Sequence, residues 1–123
     1  MASSVCWRLM YRVANRAALD KCLARTVPLL NDGYVVGECK PYWKIPELWE
    51  CALSTPAPAE SVPEQVLACL LIAYRLATGW CILGSLSAES ANGFQGVFAL
   101  GQSGARSNVV GLEWASFVLL IEN

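Results

Sequence analysis

The residue types that most often carry chemistry at neutral pH are missing or widely spaced in this 123-residue chain. It contains no histidine, which removes the commonest general base, the commonest metal ligand and one member of most hydrolytic triads. Its six cysteines lie 12 to 18 residues apart, so none forms the CxxC pair that zinc and redox sites use. We therefore expect no metal ion and no cofactor.

Two glycine-containing segments are partly similar to functional motifs. GQSGA at 101–105 is similar to a nucleophile elbow, but Ala105 stands at the second glycine position and no histidine can activate Ser103. GFQGVF at 93–98 is similar to a strand of an RNA-recognition motif, but it lacks the leading basic residue and follows the second predicted helix. A flexible loop and ordinary hairpin packing are therefore the favoured interpretations.

The carboxylates and thiols do not form a recognisable catalytic set either. Glu47 and Glu50 would point to opposite faces of a predicted strand, so they do not make an acid/base pair. Cys22 and Cys69 fall on predicted apolar helix stripes, which favours buried, reduced thiols over disulfides. We therefore expect a protein that is not an enzyme. Catalysis by a cysteine stays open as an alternative, and one unusually fast-alkylating thiol would favour it.

Apolar residues dominate the composition, yet no segment has the length of a membrane span. The chain is 55% hydrophobic and 15% charged, and its mean hydropathy is +0.41. Its longest apolar stretches, 66–73 and 115–121, are well short of the ~20 residues that a spanning helix needs. Arg8, Arg12 and Arg16 interrupt the apolar N-terminal segment, so we predict no secretory signal. We expect a cytoplasmic protein without a membrane partner.

Period-2 alternation and turn residues predict six strands. The predicted strands are 5–13, 34–39, 47–54, 80–87, 94–100 and 109–122. The third follows the second after a wide, proline-containing loop, which predicts a hairpin. The last strand is long and includes Gly111, where a bend is expected.

Two helices are predicted between these strands. Asn15 is expected to cap the first, which ends near Pro28. Ser61 and Glu64 form a capping box before the second, which is expected to run to about Thr78 with Gly79 as its C′ residue. The residues of the second helix that are predicted to face the core are Val66, Leu67, Leu70, Leu71, Tyr74 and Ala77.

The order of these elements predicts one α+β domain over residues 1–123. The β-α-β-β-α-β order is that of the ferredoxin-like split βαβ plan, and two further C-terminal strands extend it. That plan places two helices on one face of a mostly antiparallel sheet.

Charge and aromatic residues point to a docking surface in the middle of the chain. Residues 1–30 contain five basic and one acidic side chain, whereas residues 38–64 contain five glutamates and two lysines. Aromatic rings beside carboxylates suit docking onto a basic protein surface, because the rings supply buried area and the carboxylates steer association. The pI of about 5.3 argues against a nucleic-acid partner. We predict that the partner-binding residues are Glu38, Tyr42, Trp43, Glu47, Glu50 and Glu89.

In size, composition and architecture the chain resembles the immunity proteins of bacterial contact-dependent growth inhibition and related polymorphic toxin systems. The closing segment GLEWASFVLL at 111–120 has the character of such families. The resemblance implies a non-catalytic toxin inhibitor that covers the active site or substrate groove of a cognate toxin domain. If that toxin were a nuclease, its cleft would be basic and the acidic region 38–64 would match it.

A second interpretation comes from a different functional class. A small-molecule-binding or regulatory ferredoxin-like domain would have a concave apolar pocket. It would form a homodimer, and the long last strand is the element expected to join the two copies.

Overall fold

The computed structural model describes residues 3–57, 61–84 and 90–121. Its eight strands are β1 (Ser3–Arg12), β2 (Val35–Pro41), β3 (Leu48–Pro56), β4 (Ala77–Thr78), β5 (Cys81–Leu83), β6 (Gln95–Ala99), β7 (Arg106–Ser107) and β8 (Leu112–Ile121). Its two helices are α1 (Arg16–Thr26) and α2 (Val62–Leu76), and a 3₁₀ turn (Val27–Leu29) follows α1.

Six of the strands form one sheet in the order β2-β3-β1-β8-β6-β5, and every neighbouring pair in it is antiparallel. The short strands β4 and β7 pair with each other in a separate ladder. The predicted α+β class, with two helices and a mostly antiparallel sheet, is confirmed at this level.

Strand β1, in the middle of the sheet, has two different faces because its sequence alternates. The odd-numbered side chains Val5, Leu9 and Tyr11 are fully buried, and Trp7 is nearly so. On the other face of the same strand, Arg8 and Arg12 are exposed. The alternation of β1 therefore divides it into a core face and a partly wet face.

Both helices pack on the face that the odd-numbered residues of β1 line. Leu19 and Cys22 of α1 share one buried cluster with Ile72 and Leu76 of α2 and with Trp7. The expected caps are present: the Asn15 side chain accepts from the N–H of Ala18, and Ser61 Oγ accepts from the N–H of Glu64. Within the part of the chain that the structure describes, no helix covers the opposite face of the sheet.

The predicted core face of the second helix is right only in part: Ala77 is buried as predicted, and Val66 and Leu70 pack partly against the core. The buried residues of α2 are Gln65, Cys69, Ile72, Ala73 and Leu76. Leu67, Leu71 and Tyr74 are exposed instead, and Val66 and Leu70 are only partly buried. Apolar side chains surround almost the whole helix, so periodicity alone could not select the face that meets the sheet.

The end of α2 also differs from the prediction. The helix ends at Leu76, and Ala77 has an extended backbone because it pairs with Ser107 in the β4–β7 ladder. Asn108 then satisfies two carbonyls at the helix end, since its N–H donates to Leu76 O at 2.9 Å and its Nδ2 donates to Arg75 O at 3.0 Å. Gly79 has a φ of +89°, but it lies beyond this ladder and is not the C′ residue.

The last strand begins at Leu112, three residues later than predicted, because Gly111 adopts a φ of +93° immediately before it. β8 pairs with β1 along one edge and with β6 along the other. Its backbone hydrogen bonds are therefore used inside the sheet. Edge-to-edge pairing of two copies at this strand is therefore blocked, while the homodimer expected for the alternative interpretation stays a prediction.

Among the described residues, no helix is both long enough and apolar enough to cross a membrane. All six cysteines are free thiols, of which Cys22, Cys51 and Cys69 are buried.

Candidate functional site

Arg8 is the centre of a cluster on the open face of the sheet, the face opposite the helices. Its guanidinium forms an ion pair with the carboxylate of Glu50 on β3. Its Cζ lies 5.8 Å from the centroid of the Tyr42 ring and 6.0 Å from that of the Trp114 ring. Both distances are in the range of a cation–π contact. The guanidinium is therefore held by one carboxylate and two aromatic rings.

Glu50 and Lys40 extend this cluster towards the edge strand β2. They are direct cross-strand partners, and Lys40 Nζ lies 3.8 Å from a Glu50 carboxylate oxygen. The same ammonium lies 3.7 Å from Glu38, whose side chain is largely exposed. Four charged side chains of alternating sign, those of Glu38, Lys40, Glu50 and Arg8, thus follow one another across β2, β3 and β1.

The hairpin loop, residues 42–47, presents the predicted aromatic anchors. It is held closed by two backbone hydrogen bonds, Tyr42 N to Leu48 O at 2.7 Å and Leu48 N to Ile45 O at 2.9 Å. Tyr42 is partly buried against Arg8, whereas Trp43 is 78% exposed. The two rings are 6.2 Å apart. Tyr42 therefore attaches the loop to the sheet, and Trp43 projects from it.

Glu47 is separate from the Arg8 cluster. It lies at the end of the hairpin loop, where its backbone carbonyl accepts a hydrogen bond from the N–H of Val13 at 3.3 Å. It lines a shallow groove of about 410 Å³ together with Arg12 and Pro46. Arg12 is itself paired with Glu113 at 2.7 Å, and this hydrogen-bonded pair raises the pKa of the guanidinium. Glu47 is thus an exposed carboxylate beside an arginine that is already paired.

The structure therefore unites Glu38, Tyr42, Trp43 and Glu50, places Glu47 at a neighbouring groove, and leaves Glu89 outside the described residues. The glutamates of the acidic region 38–64 do not all share one groove. Glu64 belongs to α2, where it interacts with Ser61 and lines a different groove. The open face is a surface of paired charges and aromatic rings rather than a uniformly acidic one.

Sequence reasoning missed three members of the Arg8 cluster: Arg8 itself, Lys40 and Trp114. The alternation of β1 did place Arg8 on the wet face, which was a usable signal. No local pattern, however, could show that β1 lies between β3 and β8, the arrangement that brings Glu50 and Trp114 to either side of Arg8.

The buried thiols are not suited to nucleophilic chemistry. Burial raises the pKa of Cys22 and Cys51, and it raises the pKa of Cys69 to about 12. These three thiols therefore stay protonated at neutral pH. Within residues 3–57, 61–84 and 90–121, no three cysteine, aspartate or glutamate side chains form a cluster that could hold a metal ion.

Comparison with known proteins adds no relative, since no protein-family model, curated protein or solved structure matches the chain.

Proposed function

We propose that this protein is a non-catalytic inhibitor of a cognate bacterial toxin domain and acts in the cytoplasm, as the immunity proteins that it resembles do. The observation that most directly supports the proposal is Trp43, a large aromatic side chain that is 78% exposed at the tip of an ordered hairpin. Exposed tryptophans beside charged groups are typical anchors of protein–protein interfaces. Here the ammonium of Lys44 lies 5.1 Å from the Trp43 ring, and Tyr42 links that ring to the Arg8 cluster.

Preorganisation supports an inhibitory role. Tyr42 is held against Arg8, and Arg8 is held by Glu50 and Trp114, so the base of the hairpin loop is ordered before any partner arrives. Ordering side chains at the moment of binding lowers affinity, and a surface that is already ordered avoids this cost. A rigid aromatic projection beside fixed charges suits insertion into an active-site cleft.

The charges suggest the chemistry of the partner. Glu50 is engaged by Arg8 and Lys40, which leaves Glu38 and Glu47 as the more exposed carboxylates of this surface. Glu38 lies on β2 and Glu47 at the end of the hairpin loop, next to β3. We propose that they meet basic groups at the rim of the toxin's cleft while Trp43 enters it. A nuclease, whose cleft binds phosphates, fits this description.

We further propose that the domain is an extended version of the ferredoxin-like plan. The order β2-β3-β1-β8 supports this. In the split βαβ plan, too, the hairpin lies on one side of the first strand and the last strand lies on its other side. The strands β5 and β6 would then be additions at the β8 edge, whereas the sequence predicted the last two strands as the additions.

The test combines growth rescue with a binding measurement. A toxin domain encoded next to this protein is expressed in bacteria with and without it, and the purified pair is examined by calorimetry. We expect rescue and a stable complex. Replacing Trp43 and Glu47 with alanine should each weaken binding by more than about 1 kcal/mol.

Val110→Ala is the matched control, because Val110 is also an exposed apolar residue, at 73%, but lies in the turn before β8. It should leave affinity unchanged. Losses below about 1 kcal/mol for both site variants would remove this surface from consideration. Turnover of a substrate by the purified protein would contradict the non-catalytic role.

A further inference from the structure

Helix α2 presents an apolar stripe to solvent on the side away from the sheet. Leu67, Leu71 and Tyr74 are 53%, 49% and 48% exposed. Their i, i+4, i+7 spacing places them on one line along the helix, opposite the buried residues such as Cys69 and Leu76. A contiguous apolar patch of this kind on a folded domain is typical of an interaction site.

A groove runs along one border of this stripe. It has a volume of about 300 Å³, and Ala68 contributes to it beside Leu67 and Leu71. The same groove is lined by Glu64 in the first turn of α2 and by Arg75 in its last turn. The apolar surface therefore has a carboxylate at one end and a guanidinium at the other.

We propose that this surface binds a second copy of the same chain, with the two α2 helices antiparallel about a two-fold axis. The argument begins with the spacing of the two charges. Glu64 and Arg75 are eleven positions apart, which is about three helical turns, so they lie on the same border of the stripe. In an antiparallel pair the two-fold axis is perpendicular to the helices. It places this border on the same side of the interface in both copies.

In this arrangement each Glu64 meets Arg75 of the other copy, and the pair occurs twice. A parallel arrangement would instead have its two-fold axis along the helices and would place the two equivalent borders on opposite sides of the interface, so no Glu64–Arg75 pair would form. The charge pattern of α2 is therefore complementary to itself in one direction only.

The apolar residues fit the same axis. The midpoint between Glu64 and Arg75 falls near Cys69 in the sequence, within the span from Leu67 to Tyr74. An axis there brings Leu71 of one copy level with Ala68 of the other. Each Leu71 then enters the groove beside the small Ala68 side chain, and the contact is made twice.

This interface is independent of the proposed toxin inhibition. α2 packs on the helix-bearing face of the sheet, whereas Trp43 and the Arg8 cluster belong to the hairpin loop and the open face. A dimer through α2 would leave both hairpin loops free. Its formation can be measured without any toxin.

The first test is sedimentation equilibrium of the full chain between about 1 and about 100 µM. We expect a reversible monomer–dimer equilibrium for the wild type and a monomer for Leu71→Glu. Leu120→Glu is the matched control, because Leu120 is 43% exposed but lies on β8, away from α2. It should dimerise as the wild type does.

The second test exchanges the charges. Glu64→Lys and Arg75→Glu should each weaken dimerisation by about 3- to 30-fold, since each converts two attractive contacts into repulsive ones. The double variant Glu64→Lys/Arg75→Glu should restore the wild-type dissociation constant to within about threefold. Circular dichroism checks that each variant keeps its helix content, because Glu64 also belongs to the cap of α2.

A wild type that stays monomeric over the whole concentration range would overturn the proposal. An equal rise of the dimer dissociation constant in Leu120→Glu and Leu71→Glu would overturn it as well. A double variant as weak as the single ones would exclude the antiparallel arrangement.

Discussion

Glu50 on β3 directs its carboxylate to the guanidinium of Arg8 on β1, and only 13% of the Glu50 side chain is exposed. The carboxylate is thus used within the protein to hold a cation, and that cation in turn contacts Tyr42. Of the predicted binding residues, Glu50 acts chiefly as support, whereas Trp43 and the exposed glutamates are the groups that a partner can reach.

Removing the charge of Glu50 should therefore affect folding more than removing that of Glu38. We expect Glu50→Gln to lower the free energy of unfolding by about 1 kcal/mol, because Arg8 and Lys40 both lose their shared partner. Glu38→Gln should stay within about 0.5 kcal/mol of the wild type. Urea unfolding followed by tryptophan fluorescence measures both values, and equal costs would contradict the supporting role of Glu50.

Replacing Trp43 should leave the fold intact. Because its side chain lies mostly in solvent, Trp43→Ala is expected to change the free energy of unfolding by no more than about 0.5 kcal/mol. Trp49→Ala should cost about 3 kcal/mol or more, since Trp49 is partly buried against the core cluster. The same urea titration tests the pair. A large destabilisation by Trp43→Ala would mean that lost binding cannot be assigned to a lost contact.

Removing the buried hydroxyl of Thr26 should lower the free energy of unfolding more than removing that of Tyr11. They lie 2.6 Å apart, and Thr26 Oγ1 donates its only hydrogen to Cys22 O at 2.9 Å, so Tyr11 is the donor between them. Tyr11→Phe should cost about 1 kcal/mol, whereas Thr26→Val should cost about 2 kcal/mol because it leaves a buried phenol without an acceptor. A double-mutant cycle in urea measures the coupling. Equal single costs, or strict additivity, would contradict this assignment.

Gly96 should not tolerate a side chain. A Cβ at this position would lie 2.5 Å from Cε2 of Phe117 and 2.8 Å from its Cζ, inside the aromatic core. We expect Gly96→Ala to cost about 1 to 3 kcal/mol through overpacking. Gly101→Ala is the control, since a Cβ there has no neighbour within 4 Å. Thermal unfolding should separate the two variants by several degrees, and identical midpoints would refute the packing argument.

Stability should decline at alkaline pH. Burial raises the pKa of Cys69 from 9.0 to about 12, and it raises the pKa values of Cys22 and Cys51 in the same direction. Below about pH 9 these thiols are protonated in both the folded and the unfolded chain, and their contribution to the free energy of unfolding is fully present. As the pH rises from about 9 towards 12, the unfolded chain releases protons that the folded chain retains, so unfolding becomes easier.

The measurement is the urea midpoint at a series of pH values. We expect it to be level between about pH 7 and about pH 8.5 and to fall above about pH 9. Cys69→Ala should have a lower midpoint at neutral pH, because a buried side chain is lost, but a shallower alkaline decline. Cys81→Ala, which removes an exposed thiol, should decline as the wild type does. An unchanged slope in Cys69→Ala would assign the decline to other groups.

Local patterns in the sequence determined the elements that depend only on their own residues. Alternation specified β1 and its buried face. Successive side chains of a strand point to opposite faces, so burying Trp7 and Leu9 on one face places Arg8 on the other. The caps at Asn15 and Ser61 were equally predictable, since each is a contact between residues three positions apart. The antiparallel α+β class followed from the order of these elements.

The tertiary structure alone decided which surfaces remain open. The orientation of α2 depends on which of its apolar faces meets the sheet, and a helix that is apolar almost all round contains no local signal for that choice. The Arg8 cluster depends on β1 lying between β3 and β8, which joins distant parts of the chain. Both are consequences of long-range strand pairing and core packing, whose free energy is absent until the whole sheet has formed.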